Sequence, residues 1–205
     1  MDYAIVKDSA SVQKTINALS ENGFKAEFVS DRAAALQWIQ SHIPKGASVM
    51  NGSSRTLEEI GFIEHLKADA HGWDNVHARI LSETDPEKQA LLRKQSVLSD
   101  YYLGSVHAVT EDGQLLIASN TGSQLPHLVF TSPNLILVVG TQKIVPTLAD
   151  GIKRLEEYVV PLEDQRMMGV HNVHTQLSKL VILKKEPAFL GRTITVLFVG
   201  ETLGY

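Results

Sequence analysis

The sequence predicts an α/β fold: a mostly parallel sheet with helices on both faces and an antiparallel hairpin. Three features carry that expectation. Over residues 9–61, short apolar runs alternate with amphipathic helical segments, the rhythm of βαβ units. Asn134 to Gly140 is a near-continuous apolar run, as a strand covered on both faces requires. Ser105 to Val109 and Gln114 to Ser119 flank Glu111-Asp112-Gly113, and the Asp-Gly pair is a hairpin turn signal.

The elements follow in order. Asp8 or Ser9 caps a first helix that turns Val12, Ile16 and Leu19 to one face, and Gly23 stops it. Lys25 to Ser30 reads as a strand. Ser30 or Asp31 opens a second helix with Ala35, Leu36 and Ile39 inward and Pro44 beyond its end. Ala47 to Met50 is a short strand feeding into Asn51-Gly52-Ser53-Ser54, after which a helix starts with Leu57 and Ile60 inward and Gly61 near its end. Asp85-Pro86-Glu87 opens a helix to about Leu98, with Leu91, Leu92 and Leu98 as core candidates. After the hairpin comes a loop of small polar residues, Asn120 to Gln124, closed by Pro126. Pro146 opens a helix with Leu148, Ile152, Leu155 and Val159 on one stripe. Leu180 to Leu183 and Thr193 to Val199 are the last strands, with Lys184 to Pro187 as a surface turn between them. No repeat, low-complexity tract or linker divides the chain, so one domain over residues 1–205 is expected.

Composition narrows the function. Of 205 residues, 43% are hydrophobic and 20% charged, ordinary globular usage that excludes a mostly disordered chain. Nineteen basic against 23 acidic side chains give −4, which argues against general nucleic-acid binding. The absence of cysteine excludes disulfides, thiolate metal sites, iron–sulfur ligation and a cysteine nucleophile within this chain. Met1 to Lys7 lacks the basic and apolar regions of a signal peptide, and no apolar run approaches the ~20 residues that span a bilayer. A cytoplasmic location without membrane or nucleic-acid partners is expected.

Three constellations could carry chemistry. Asn51, Gly52, Ser53 and Ser54 lie where a strand becomes a helix; the glycine lets a ligand approach the backbone and the hydroxyls add donors, although capping the helix alone would also explain them. Asn120, Thr121, Gly122, Ser123 and Gln124 follow a buried strand, the place where open α/β sheets bind ligands, or form a simple turn. Lys143 follows another strand and could set its charge over a carboxylate or phosphate; read as an exposed lysine, it would hold little of the core together. His107 reads as a proton donor to the loop cluster or as a satisfied core histidine. Glu59 and Glu201 are general-base candidates, each near a site loop or strand end. Glu163, Asp164 and Arg166-Met167-Met168 read as packing plus a surface ion pair. His171 and His174 could share a helix face, but no third ligand accompanies them, so no metal site and no cofactor are expected.

The order of these motifs resembles a known family. Asn51-Gly52-Ser53-Ser54 before Leu57-Glu58-Glu59-Ile60-Gly61, the hairpin leading into Ala118-Ser119-Asn120-Thr121-Gly122-Ser123, and Ile136 to Gly140 before Lys143-Ile144-Val145 look like the LUD domain of lactate-utilisation proteins of the C-subunit type. The resemblance implies a fold of the NagB/RpiA/CoA-transferase kind, shared with ribose-5-phosphate isomerases. It also implies a role beside iron–sulfur subunits that oxidise lactate to pyruvate. Many members of the family it resembles carry an acidic residue before the Thr-Gly pair where this chain has Asn120, which removes a carboxylate from that position. The leading expectation is a small anionic metabolite bound between the Asn51 loop, the Asn120 loop and Lys143, with any activity being isomerase- or transferase-type chemistry on a phosphorylated or carboxylated substrate. The rival is a non-catalytic accessory subunit of an iron–sulfur lactate-oxidising complex.

Overall fold

The computed structural model describes residues 2–205, apart from the side chain of His171. In chain order the elements are α1 (Ser9–Glu21), β1 (Lys25–Val29), α2 (Arg32–His42), β2 (Ser48–Asn51), α3 (Arg55–Glu59), α4 (Phe62–Lys67), β3 (Asp74–Asn75), α5 (Val76–Ser82), α6 (Pro86–Gln95), β4 (Tyr101–Gly104), β5 (Ala108–Thr110), β6 (Leu115–Ser119), β7 (Asn134–Gly140), β8 (Ile144–Val145), α7 (Leu148–Arg154), α8 (Val160–His171), β9 (Lys179–Leu183) and β10 (Thr193–Val199).

The strands form two sheets. The first is parallel throughout, in the order β1-β10-β7-β4-β2-β3. The second is mixed, in the order β8-β5-β6-β9, with the hairpin β5–β6 at its centre. The expected α/β class and hairpin are present; the hairpin belongs to its own sheet rather than to the parallel one.

Alternation along β7 shows how the layers stack. Leu135, Leu137 and Val139 join Val12 and Leu19 of α1 and Val109, Leu115 and Ile117 of the second sheet in one apolar core. Ile136 and Val138 point the other way, toward Ala35 and Ile39 of α2, Leu57 of α3 and Phe62 and Leu66 of α4. Each such fully buried aliphatic side chain contributes roughly 1.5–3 kcal/mol relative to exposure. The far face of the second sheet packs Ala108, Leu116 and Val145 under Leu155 and Val159. One face of the parallel sheet is therefore covered by α1 and a second sheet, not by helices alone.

Three expectations need correction. Leu91 and Leu98 are 54% and 76% exposed, and α6 buries none of its residues, because its sequence is charged and polar on most of its circumference. Glu186 is buried in the supposed surface turn, with its carboxylate 3.8 Å from Arg192 Nη1 and its N–H donating to Asn22 O at 2.9 Å. The first hairpin strand starts at Ala108, which leaves Ser105, Val106 and His107 as a connection from β4, a parallel strand the sequence reading lacks. The stripe Leu148, Ile152, Leu155 and Val159 is helical as expected, but the helix does not stop there. Pro161 has no N–H to donate, and a wide π-helical turn at Leu155–Val159 precedes it, so the chain carries on into α8.

Candidate functional site

Parallel strands end on one edge, so their following loops meet. Here β2 ends at Asn51, β4 at Gly104 and β7 at Gly140, side by side in register with Leu103 and Leu137. Ser54 then caps α3, its Oγ accepting from Leu57 N at 3.3 Å. The second sheet adds the loop of residues 119–124 after β6, α8 adds Glu163, Arg166 and Met167, and Tyr205 adds its phenol. Together these segments line a cavity of about 430 Å³.

Lys143 forms part of its wall. The apolar strand β7 runs into a tight turn, Thr141–Lys143, whose three residues are all buried. Lys143 is 2% exposed. Its Nζ donates to Thr56 Oγ1 at 3.0 Å and to Ser105 Oγ at 3.1 Å. The C-terminal segment closes over this point. Gln142 Nε2 donates to Leu203 O at 2.8 Å, Gly204 N donates to Glu59 Oε2 at 2.7 Å, and a side chain on Gly204 would come within 2.5 Å of Thr56 Oγ1. Burial, then the positive charge of Arg154, push the Lys143 ammonium down from 10.5 to about 7, against the pull of Glu59.

The surroundings are polar and largely self-bonded. Arg166 donates through Nε to Glu163 Oε2 at 2.8 Å and through Nη2 to Oε1 at 2.6 Å, and Tyr205 donates its hydroxyl to the same carboxylate. Burial would raise Glu163, but the Arg166 and Tyr205 hydrogen bonds win and hold it below the ordinary carboxylate value. His107 Nδ1 accepts from Ala118 N at 3.1 Å, which puts the proton of the neutral ring on Nε2. Burial first, then Lys143 and Arg154, lower this imidazole to about 3, so it stays neutral. Arg154, fully buried, donates to His107 O at 2.6 Å and lies over the Tyr158 ring at 5.2 Å. In the Asn120 loop, Ser119 Oγ accepts from Gly122 N at 2.9 Å and Asn120 Oδ1 accepts from Ser178 Oγ at 3.0 Å.

A family model described as the LUD domain matches residues 12–179. The chain belongs to the LUD-domain family. The matched LUD region contains every cavity-lining residue except Tyr205. A solved structure, a DUF162 family protein from Deinococcus radiodurans, is 13% identical, superposes with a TM-score of 0.54, and is matched over 96% of this chain and 100% of that chain, a likeness of fold. No curated protein matches the chain.

Within this LUD fold the cavity gathers Gly52, Ser53, Ser54, His107, Asn120, Thr121, Ser123, Gln124 and Lys143 from the sequence-derived set. Others stay outside. Asn51 is buried behind its loop, its Oδ1 3.3 Å from His77 Nδ1. Gly122 faces Lys179, whose Cδ would lie 2.9 Å from an added Cβ. Glu59 is spent on Gly204 N and, at 3.6 Å, Arg55 Nη2. Glu201 is bound at 2.7 Å by Arg32 Nε away from the cavity. The view of Lys143 as an exposed lysine is wrong. The helix behind Ser54 has five residues, too few for its dipole to anchor an anion. The ion pair of Glu163 and Arg166 lines the cavity rather than a plain surface.

The sequence reading missed Ser105, Glu163, Arg166 and Tyr205 as lining residues, whereas Thr56, whose hydroxyl belongs to the Asn51 constellation, does line the cavity. A signal existed for one pair, since Glu163 and Arg166 are three apart and share a helix face. His174 Nδ1 lies 3.0 Å from Asp164 Oδ2, and the proposed His171/His174 pairing falls outside the described residues at His171. Among the described residues no group of three or more metal-ligating side chains exists, and no helix is long and apolar enough to cross a membrane.

Proposed function

We propose that this LUD-domain protein binds a small anionic metabolite in the cavity, with Lys143 as its anchoring cation. One observation carries the reading. Among the described lining residues, Arg55 and Arg166 sit within salt-bridge distance of carboxylates, at 2.7 Å from Glu58 and 2.6 Å from Glu163, whereas Lys143 is held by two hydroxyls and no carboxylate lies within 4.0 Å. A buried cation without a counter-ion is costly unless an anion supplies the missing charge. Binding an anion restores the ammonium, so affinity and protonation are coupled. Loop donors at Ser53, Thr121 and Ser123 surround the same space. The family resemblance makes lactate, pyruvate, sugar phosphates and CoA esters the first compounds to test.

An accessory-subunit role beside iron–sulfur lactate-oxidising partners is a second reading. It is favoured by large apolar side chains left in water, Leu98 at 76%, Phe130 at 69% and Phe189 at 88%. A thermal-shift screen followed by titration calorimetry separates the two. The anion reading expects a hit whose binding weakens about 10- to 150-fold in Lys143→Met, the worth of one charge-assisted hydrogen bond. No hit from the panel, or a hit indifferent to Lys143→Met, would favour the accessory role.

A further inference from the structure

We propose that Lys143 is an amine nucleophile that forms an imine with a small anionic aldehyde or ketone bound in the cavity. The proposal deepens the anion-binding reading and rests on it: with Lys143 at about 7 both forms are present at neutral pH, the ammonium pairing with a simple anion and the free amine attacking an anion that carries a carbonyl.

The hydrogen bonds at Nζ suit a free amine. Ser105 Oγ donates its proton to Val138 O at 2.6 Å, and Thr56 Oγ1 donates to Leu203 O at 3.4 Å. Ser105 Oγ can therefore only accept from Nζ, at 3.1 Å, and Thr56 Oγ1 accepts from it at 3.0 Å. A neutral amine has two N–H groups and one lone pair. The two acceptors take both protons and leave the lone pair, on a residue that lines the cavity. The charges around it act in the same direction. Arg154 is fully buried nearby, and Glu59, the acid that opposes it, is already bonded to Gly204 and Arg55. The chain thus holds a lysine out of water with no carboxylate within 4.0 Å of its Nζ and only the more distant Glu59 favouring its charge, the environment that activates amines for covalent catalysis.

The anionic end of the substrate has other partners in the same cavity. Arg166 spends Nε and Nη2 on Glu163, and its Nη1 has no protein acceptor among the described residues. Hydroxyls of Ser53, Thr121 and Ser123 lie along the wall. His107, with its proton on Nε2, lines the cavity as a neutral donor for the carbonyl oxygen.

The chemistry balances without a redox partner. The Nζ lone pair attacks the carbonyl carbon, the C=O π electrons move to oxygen, and one nitrogen proton passes to that oxygen. The carbinolamine then breaks its C–O bond. The hydroxyl leaves as water with the second nitrogen proton, and C=N remains.

The test is reductive trapping of the full-length protein with sodium cyanoborohydride, read by intact mass and peptide mapping. Pyruvate serves as the 2-oxo acid and dihydroxyacetone phosphate as the phosphorylated ketone, in separate arms. At neutral pH Lys143, titrating at about 7, offers roughly three powers of ten more free amine than a lysine at 10.5. Lower nucleophilicity offsets part of this, so labelling at Lys143 is expected to exceed that of surface lysines by at least about tenfold. The added mass equals the carbonyl compound less one oxygen, labelling saturates with substrate, and its rate rises as pH climbs through about 7. Lys143→Arg, with Lys143→Met as a second variant and circular dichroism as the fold check, loses the saturable label. Calorimetry with lactate, which has no carbonyl to trap, runs in parallel. Lactate binding without a Lys143 adduct in either arm overturns the nucleophile and leaves the anion site standing. Labelling spread evenly over surface lysines overturns it too. Neither binding nor adduct removes both.

Discussion

Replacing Lys143 by Met should stabilise the protein near neutral pH, although it removes a buried residue with two hydrogen bonds. In the unfolded chain the lysine titrates at its ordinary 10.5, whereas the folded environment lowers it to about 7. Between those values the unfolded chain holds a proton that the folded chain has released. Stability therefore rises with pH across that window, and the full cost is present below it. The interval corresponds to roughly 5 kcal/mol, at about 1.4 kcal/mol per pH unit. Lys143→Met removes that cost and forfeits two hydrogen bonds worth about 1 kcal/mol each. A net gain of about 2–3 kcal/mol at pH 7 is expected, a rise in Tm of roughly 5–10 °C for a chain of this size. Urea denaturation of both proteins from about pH 6 to about pH 9.5 measures it. Burial also lowers Arg154, but it does so in both proteins, so the difference between the two curves isolates Lys143. The advantage of the variant should shrink as pH rises. A variant less stable than wild type at pH 7, with an unchanged pH slope, would refute the reasoning.

Other substitutions probe the walls around it. Gly204 has φ +58, and an added Cβ would lie 2.5 Å from Thr56 Oγ1, so Gly204→Ala should cost about 1–3 kcal/mol in chemical denaturation and loosen the C-terminal segment over Lys143. Glu163 is held below its ordinary value of 4.5, with burial opposing and the Arg166 and Tyr205 hydrogen bonds prevailing; its stabilisation is present above 4.5 and fades as pH falls through the lower folded value. Glu163→Gln should therefore show a shallower acid loss of Tm than wild type. Removing the buried guanidinium in Arg154→Met should raise the titration of Lys143 above 7, read by NMR of its labelled Nζ with circular dichroism as the fold check.

Much of the frame was legible because periodicity and turn chemistry are local. Asn51-Gly52-Ser53-Ser54 did end a parallel strand, and Asp112-Gly113 did turn a hairpin. Other features depend on partners that no local pattern shows. Tyr101 to Gly104 is a strand because β2 and β7 flank it, and four residues carry too little alternation to announce that. Pro161 reads as a stop unless the wide turn before it is known. Lysine at a loop start is ordinarily solvated; Lys143 is buried because Leu203 and Gly204, some sixty residues away in sequence, fold back over Thr56 and Gln142. For the same reason Tyr205 and Glu163 were invisible as neighbours, while the hydroxyl-rich loops, whose chemistry is written in consecutive residues, were found.

The central claim is that an anion pairs with Lys143 in the cavity, and calorimetry of lactate and malate binding at several pH values tests it most directly. Both carboxylates stay ionised above about pH 6 and neither offers a carbonyl to the amine. If the anion meets an ammonium that titrates at about 7, binding takes up roughly half a proton at pH 7, and affinity falls more than about tenfold by pH 8.5. Affinity constant across that range, with no proton taken up, would place the anion elsewhere and contradict the account.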